Sequence, residues 1–367
     1  MPRLMNSDTS RLSFISHFHW VILITLLAVI SPGCGNAPEE VPLERIQLDL
    51  QVIRLDEALY NASKTIGKDS TIGPEMLFKE HFQESKGFVT DWMFGGNDSV
   101  ATDSLIGDAL GAFGRDRYGA HLLDTIHEVL GGMDLKAVLE NPLKRYKHYF
   151  PNKQTPIVVA FVDGYPRTAQ AGLDQIYISP TYLGIGMHYF MGPSFQYYPI
   201  DLPRYIRRRC TPEHIPALVV HKMADLIVPE PELGKNPVLI DYVIREGIRM
   251  VFVDKLLGPQ VSDSIKVFYE TSQLEWANLY EGRVYKDLVT DLYSADAALQ
   301  RRYVDDSPFT SQLNRGSAPR LGQFIGWRIV SEYLRKHPEV SLDALVQMKD
   351  YQKIFKDSGY RPPKEGE

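Results

Sequence analysis

The sequence predicts a mostly helical α+β protein with one small β-sheet and a helical C-terminal part. Two short apolar runs, residues 156–162 (PIVVAFV) and 175–179 (QIYIS), are rich in β-branched residues and are typical of buried strands. Helical spacing of apolar residues dominates residues 74–141 and the chain after residue 215. The length of 367 residues allows one large domain or two smaller ones.

The N-terminus predicts export. Its first residues include Arg3 and Arg11, and residues 20–30 (WVILITLLAVI) form an apolar run interrupted only by Thr25. This run is short for a membrane-spanning helix, which needs about 20 residues, but it suits the core of a signal peptide. We therefore predict that residues 1–33 are a signal peptide and do not belong to the fold.

A cysteine stands at the expected cleavage position. Gly33-Cys34 resembles a bacterial lipobox, although Ser31 occupies a position that usually holds an aliphatic residue. We predict that Cys34 is the lipid-modified, palmitoylated N-terminus of the mature protein and that residues 34–45 tether it to a membrane. The alternative is a plain secretory signal followed by an incidental cysteine.

Composition narrows the class of protein. A formal net charge of -6 excludes a basic nucleic-acid binder, so the run 207–209 (RRR) indicates a solvated face or a surface for an acidic partner. The chain has two cysteines. If Cys34 carries a lipid, neither an intramolecular disulfide nor a thiolate metal site can form, and Cys210 is predicted to be a buried apolar filler.

The chain is organised around two predicted helices, residues 216–228 and 237–257. Pro229 ends the first helix, because proline cannot continue it. Asn236 is predicted to cap the second helix, and Gly258 to end it.

These two helices carry the candidate site residues. His221 and Asp225 are four residues apart and therefore share one face of the first helix. Glu246 is the only charged member of the apolar stripe of the second helix, where a carboxylate needs a positive partner. Two ligand-type residues at i and i+4, with a Glu on the next helix, are the layout of a zinc peptidase with an H-E-x-x-H motif. The sequence therefore predicts a zincin-like helix pair.

The motif is degenerate, however. Lys222 stands where the catalytic base belongs, and Asp225 replaces the second histidine. We predict that Lys222 pairs with Asp225 or Glu246 and so takes the electrostatic place of the metal. Hence we expect no zinc, no other cofactor and no peptidase activity. The alternative is a metal-dependent hydrolase in which His221, Asp225 and Glu246 hold zinc and another group replaces the base.

Three local patterns predict further structure. Apolar residues alternate over residues 46–52, which favours a strand, and helical spacing over residues 272–293 predicts one long helix. Gly322 and Gly326 share one face of a helix predicted over residues 321–334. A neighbouring backbone is expected to pack closely against them.

Several segments together resemble the gliding motility lipoprotein GldB family. They are residues 176–179 (IYIS), 182–184 (YLG), 202–207 (LPRYIR), 273–276 (QLEW), 292–296 (LYSAD), 307–309 (SPF), 319–330 (PRLGQFIGWRIV) and 358–362 (SGYRP). Their order and spacing cover most of the chain after the tether.

The resemblance implies a non-catalytic lipoprotein of the cell envelope, anchored through Cys34 to the outer membrane on its periplasmic side. Its implied partners are other envelope proteins of gliding motility and of the associated secretion apparatus, and not nucleic acids. The family is also distantly similar to zinc-peptidase folds. On this basis, residues 46–150 are expected to form a mainly helical N-terminal part, and residues 151–367 the GldB-type, degenerate zincin-like part.

Overall fold

The computed structural model describes residues 41–164, 175–230, 236–313 and 315–363. The predicted signal peptide, Cys34 and most of the predicted tether lie outside the described residues, so lipidation of Cys34 stays a prediction. The last residues of the predicted tether do have defined structure. Val41 is buried, and Leu43–Arg45 form a 3-10 turn.

The strands of the described residues form one mixed sheet. They are β1 (Val52–Arg54), β2 (Ile157–Phe161), β3 (Ile176–Ile178) and β4 (Tyr182–Gly186). Their order across the sheet is β1-β2-β4-β3. Strands β1, β2 and β4 are parallel, and β3 is antiparallel to β4. In this register Val52 lies opposite Val158, and Ile157 lies opposite Tyr182. The strands predicted over residues 156–162 and 175–179 are confirmed as β2 and β3.

The first strand begins later than the sequence predicts. Alternation over residues 46–52 favours a strand there, but ladder pairing starts only at Val52. The partner strand β2 itself begins at Ile157, and the bond that opens the ladder runs from the Val158 N–H to the Gln51 carbonyl (3.0 Å). Without a neighbour to supply hydrogen bonds, the earlier residues stay irregular.

Strand β4 is absent from the sequence prediction. Its two glycines weaken the strand pattern, since glycine is uncommon in strand interiors. The structure shows why glycine is needed at one of them. A Cβ on Gly184 would lie 3.0 Å from the Phe88 ring and 3.1 Å from the Phe161 ring, so that two aromatic side chains occupy the space of the missing side chain.

The described residues between β1 and β2 are mainly helical, as predicted. The helices are α1 (Leu55–Lys68), α2 (Pro74–Leu77), α3 (Lys86–Phe94), α4 (Asp103–Arg115), α5 (Arg117–Leu130) and α6 (Leu135–Tyr149). Thr102, Asp116 and Asp134 start α4, α5 and α6, because each side chain accepts a backbone N–H of the first turn. The centroid of the Phe88 ring of α3 lies 5.5 Å from that of the Phe161 ring of β2. This aromatic contact joins the helical part to the sheet.

The described residues after the sheet are also mainly helical. The helices are α7 (Arg204–Arg207), α8 (Ile215–Ile227), α9 (Leu239–Leu257), α10 (Asp263–Val267), α11 (Thr271–Leu279), α12 (Glu281–Asp291), α13 (Ala297–Val304), α14 (Leu321–Lys336), α15 (Leu342–Val346) and α16 (Tyr351–Ser358). Helix α9 is buried along most of its length and packs against α8, α14 and α16. It is therefore the centre of this half of the chain.

The prediction of one long helix over residues 272–293 is wrong. The chain leaves helical geometry at Tyr280 (φ -102°, ψ 14°) and continues as α12. The break places Glu281 in the interior, where it accepts a hydrogen bond from the Tyr360 hydroxyl and lies 3.6 Å from Arg328 Nε. A contact with the C-terminal tail thus overrides the local helical pattern.

Helices α9 and α14 cross with their backbones in contact. A Cβ on Gly326 would lie 2.0 Å from the Val243 carbonyl oxygen, and one on Gly247 would lie 2.2 Å from the Gly326 carbonyl oxygen. A Cβ on Gly322 would lie 3.0 Å from the Tyr303 carbonyl oxygen. The close packing predicted for Gly322 and Gly326 is confirmed.

One apolar core joins the sheet to the helices on both sides of it. Leu55, Leu139, Val159, Phe252 and Ile325 are wholly buried members of this core. Leu43–Glu367 accordingly form one compact unit. None of the helices in the described ranges is both long enough and apolar enough to cross a membrane.

Candidate functional site

The predicted helix pair is present as α8 and α9, and both helices end where the sequence predicts, to within one residue. The start of α9 differs from the prediction. The helix begins at Leu239, and the Asp241 carboxylate accepts the backbone N–H of Val238 (2.9 Å). Asn236, which is in the left-handed region (φ 48°), is not the N-cap.

His221 is buried on the inner face of α8 and is 8% exposed. Its Nε2–H donates a hydrogen bond to the Lys266 carbonyl oxygen (2.7 Å), and its ring lies on that of Phe268, with centroids 4.6 Å apart. Burial, together with nearby Arg320 and Arg249, lowers the pKa of His221 to about 3. The imidazole is therefore neutral, and Nε2 already serves a structural hydrogen bond.

This burial predicts an acid-sensitive contribution to stability. The pKa of His221 in the folded protein lies below its ordinary value of about 6.5, so His221 stabilises the fold above that pH, and the contribution is lost as pH falls towards 3. Between about pH 7.5 and pH 5, His221 should account for a loss of about 2 kcal/mol in unfolding free energy. Denaturant unfolding at the two pH values measures this for the natural protein and for His221→Gln, whose amide can still donate to Lys266.

The control is His148→Gln, because His148 is an exposed helical histidine. His148→Gln should keep the pH dependence of the natural protein, and His221→Gln should reduce it. Equal pH dependence in the natural protein and in His221→Gln would show that His221 titrates normally in the fold.

Asp225 lies in a different environment from His221. It is exposed, and its carboxylate forms an ion pair with Arg249 of α9. The shared helix face predicted for His221 and Asp225 therefore does not form a shared site. One side chain is buried against Phe268, whereas the other lies at the surface beside a guanidinium group.

Glu246 is buried, as predicted, and its carboxylate is fully engaged. Oε1 accepts from Arg245 (2.7 Å) and Arg249 (3.0 Å), and Oε2 accepts from Arg249 (3.2 Å) and Gln323 (3.2 Å). Burial raises the pKa of Glu246, and Arg245 is the main opposing influence. The prediction of a positively charged match is confirmed, and two arginines provide it.

The prediction that Lys222 provides this match is wrong. Lys222 follows His221 directly and is therefore rotated by about 100° from the buried face of α8. It is half-buried, whereas Arg249 is one turn along α9 from Glu246 and lies on the same face. Arg249 also pairs with Asp225, so this arginine, and not Lys222, links the two predicted carboxylates.

A second ion-pair cluster lies beside the first. Arg209 binds Asp306 through both terminal nitrogens (Nη1–Oδ2 2.5 Å, Nη2–Oδ1 2.8 Å), and Arg320 Nε lies 3.5 Å from Asp306 Oδ1. These guanidinium groups lower the pKa of Asp306 and outweigh the opposing effect of burial. Arg209 also lies over the Phe268 ring, 4.8 Å from its centroid.

Two residues of this cluster have left-handed backbone geometry. Phe268 (φ 57°) ends α10, and Arg320 (φ 47°) precedes α14. Non-glycine residues rarely adopt this region, and such strain is commonly concentrated at functional sites. It is held here by contacts: the Arg320 Nη2–H donates to the Val267 carbonyl oxygen (2.6 Å), and the Phe268 ring packs against His221.

The two clusters border one charged cavity of about 440 Å³. Its basic lining residues are Arg245, Arg249, Arg301 and Arg320. Its acidic lining residues are Glu230, Glu246, Asp305 and Asp306. The cavity lies between the α8–α9 pair on one side and α13 and α14 on the other. We take this charged cavity as the candidate functional site.

The predicted degenerate metal site takes the form of an ion-pair network. Among the residues that the structure describes, no three His, Cys, Asp or Glu side chains are grouped so as to hold a metal ion. Guanidinium groups neutralise Asp225 and Glu246, and His221 binds a backbone carbonyl. The zincin-like arrangement gains no support from these contacts, and zinc content stays an expectation to be measured.

Sequence reasoning missed the arginines that define the cavity. A local signal existed for Arg245 and Arg249, which lie one residue before and three residues after Glu246. Arg209, Asp306 and Arg320 are far apart in sequence, and no spacing connects them. Only the folded chain brings them to one place. Cys210 is buried and free, as predicted, and burial raises its pKa to about 11.

The fold and the cavity define a mostly helical α+β protein whose central helix pair carries buried ion pairs. The family model for the gliding motility protein GldB matches residues 36–362, nearly the whole chain, and the chain belongs to this family. No curated protein and no solved structure matches the chain with significant similarity. The family predicted from the sequence segments is thereby confirmed, and it associates the protein with gliding motility.

Proposed function

We propose that this protein is a non-catalytic lipoprotein of the cell envelope that acts through protein–protein contacts in gliding motility and the associated secretion apparatus. The observation that carries the proposal is the family match over residues 36–362. The acidic net charge of -6 favours protein partners over nucleic acid. The run at residues 207–209 does not contribute a free basic face, and the prediction of a solvated face there is wrong, because Arg209 is buried and bound to Asp306 and Arg208 pairs with Glu270.

The chemistry of the helix pair supports a role without catalysis. Zinc hydrolysis needs an open coordination position and a base for the bound water. Here the carboxylates of Asp225 and Glu246 are matched by Arg249, and Nε2 of His221 is bound to a carbonyl. A metal-dependent hydrolase would have to break these contacts before His221, Asp225 and Glu246 could bind zinc.

The anchoring proposal rests on the N-terminal sequence. An apolar signal core followed by Gly33-Cys34 favours acylation of Cys34, and acyl chains supply the apolar burial that holds a protein at a bilayer. With the family association, this favours the outer membrane, on its periplasmic side, where envelope partners of the motility apparatus are accessible.

Complementation tests anchoring and catalysis together. The test uses a gliding strain from which the gene for this protein has been deleted. There the Cys34→Ser variant should no longer be found in the membrane fraction and should not restore gliding. Cys210→Ala is the matched cysteine control and should show neither defect, because Cys210 is a buried free cysteine. The His221→Gln variant should restore gliding, since a non-catalytic protein does not need His221 as a metal ligand.

The contrary outcomes separate the parts of the proposal. Cys34→Ser that stays in the membrane fraction would refute the anchor. A His221→Gln variant that accumulates normally but does not restore gliding would favour the alternative of a metal-dependent hydrolase. The metal content of the purified protein would then identify the ion.

A further inference from the structure

A second cavity, here named the apolar pocket, lies at the carboxyl end of strand β2 and shares no lining residue with the charged cavity. Its volume of about 370 Å³ is within the range of small-molecule sites. Residues 162–164, which follow β2 directly, contribute to its lining, and helices α1, α3 and α4 supply most of the rest. Ligands commonly bind at the carboxyl ends of parallel strands in sheets covered by helices, so this position favours a binding site.

Most side chains that line the apolar pocket are apolar. Leu110 and Val162 are buried lining residues. Trp92 and Phe113 also line the pocket and are half-buried. The Trp92 ring is held against β2, since its centroid lies 4.8 Å from that of the Phe161 ring. An apolar lining with aromatic members favours a ligand with an apolar body.

Two carboxylates stand at the exposed end of the apolar pocket. Asp116 and Asp163 line it and are exposed, and none of the described residues that line it is lysine, arginine or histidine. The Asp116 carboxylate accepts the backbone N–H of Gly119 (2.7 Å) as the N-cap of α5. Asp163 Oδ1 lies 2.8 Å from Nε2 of His188, which is wholly buried shortly after β4. A protonated His188 would neutralise Asp163 and would still leave the charge of Asp116.

The cations near Asp116 do not cancel its charge. Arg115 and Arg117 flank Asp116 in sequence but do not line the apolar pocket, and Arg115 is paired with Asp108 (Nη1–Oδ1 3.4 Å). Arg117 is exposed, so that water and salt screen it. The dipole of α5 contributes roughly half a positive charge beside Asp116. The lining therefore stays negative whether or not His188 carries a proton.

We infer that the apolar pocket binds a small organic cation, an amine with an aromatic or aliphatic body. The body lies against Trp92 and Phe113, where its apolar surface is removed from water. The ammonium group points towards Asp116, and it gains both from the carboxylate and from the neighbouring aromatic faces. An anion of the same size would be repelled, and a neutral molecule would leave the carboxylate unused. This inference is independent of the proposed role in motility.

Calorimetry on the full-length protein in phosphatidylcholine nanodiscs tests the inference, with empty nanodiscs as the blank. Phenethylamine, phenethyl alcohol and hydrocinnamate carry the same aromatic body with a cationic, a neutral and an anionic head, and methylamine carries the cation alone. Phenethylamine should bind, and phenethyl alcohol should bind about fivefold more weakly, because it lacks the charge that the carboxylate and the rings attract. Hydrocinnamate and methylamine should bind more weakly still. No binding of phenethylamine, or equal or tighter binding of any other probe, would overturn the inference.

Asp116→Asn tests the electrostatic part, since asparagine keeps the N-cap of α5 and removes the charge. It should weaken phenethylamine binding about threefold and leave phenethyl alcohol binding unchanged. Asp124→Asn is the matched control, because Asp124 is an exposed aspartate of α5 that does not line the pocket. Equal effects of the two substitutions on phenethylamine would contradict the assigned position of the ammonium group.

Ala112→Leu tests the location of the site. Ala112 lines the apolar pocket and is exposed, so the larger side chain occupies ligand space without entering the core. Phenethylamine binding should fall at least about tenfold, because the leucine overpacks the bound state. Ala137→Leu is the matched control, since Ala137 is an exposed alanine of α6 outside the lining, and it should keep binding unchanged. Unchanged binding in Ala112→Leu would place the amine elsewhere and overturn the assignment of the pocket.

Discussion

Glu246→Ala is expected to lower the free energy of unfolding by roughly 3–5 kcal/mol, the usual effect of removing one partner from a buried ion pair. The substitution leaves Arg245 and Arg249 with positive charges that are largely desolvated, and it removes the acceptor of Gln323. Glu246→Gln should also destabilise, although less, because its amide oxygen can still accept one or two of these hydrogen bonds. Chemical denaturation measures both variants.

The control is Glu128→Ala, because Glu128 is an exposed helical glutamate. Its stability should stay within about 0.5 kcal/mol of the natural protein. Unchanged stability in both Glu246 variants would show that the ion-pair network around Glu246 contributes nothing to the fold.

Gly326→Ala is expected to destabilise the protein by about 3 kcal/mol or more, at the upper end of overpacking effects. The added Cβ would lie 2.0 Å from the Val243 carbonyl oxygen, and 3.0 Å from the Gly247 nitrogen. Both atoms belong to the backbone of α9, so that the clash can be relieved only by moving α14 away from α9. The cavity between these helices and α13 should be distorted at the same time, and thermal or denaturant unfolding measures the loss of stability.

Gly67→Ala is the matched control, because Gly67 lies in α1 and a Cβ there meets nothing within 4 Å. Alanine has the higher helix propensity, so that Gly67→Ala should be neutral or stabilising by up to about 1 kcal/mol. If Gly326→Ala is as stable as Gly67→Ala, the helices are not in backbone contact at this position.

The segments that indicate the family also have a common structural meaning. Residues 319–330 contain Arg320, which lines the cavity, and Gly326, which allows α14 to approach α9. Residues 307–309 directly follow Asp306, the acceptor of Arg209. Residues 358–362 contain Tyr360, which binds the buried Glu281. Three of the eight segments therefore contain or adjoin residues of the charged cavity or of the packing described above.

Periodicity by itself determined the helical content, the strands β2 and β3, and the pairing of α8 with α9. The sequence also determined that Glu246 is buried, because a carboxylate within an apolar stripe of a long helix has no route to solvent. The two glycines of α14 predicted close packing for a similar local reason. Each of these features depends on residues within a few turns of one another.

Tertiary structure decided which cation matches Glu246. Arg245 and Arg249 lie within one turn of Glu246 on α9, and the orientation of α8 against α9 turns Lys222 away from the carboxylate. It also decided that α11 and α12 separate at Tyr280 and that β4 forms despite its glycines. In these last two cases a contact distant in sequence outweighs a local preference of at most about 1 kcal/mol. The charged cavity belongs to the same category, since residues from Arg209 to Arg320 meet only in the folded chain.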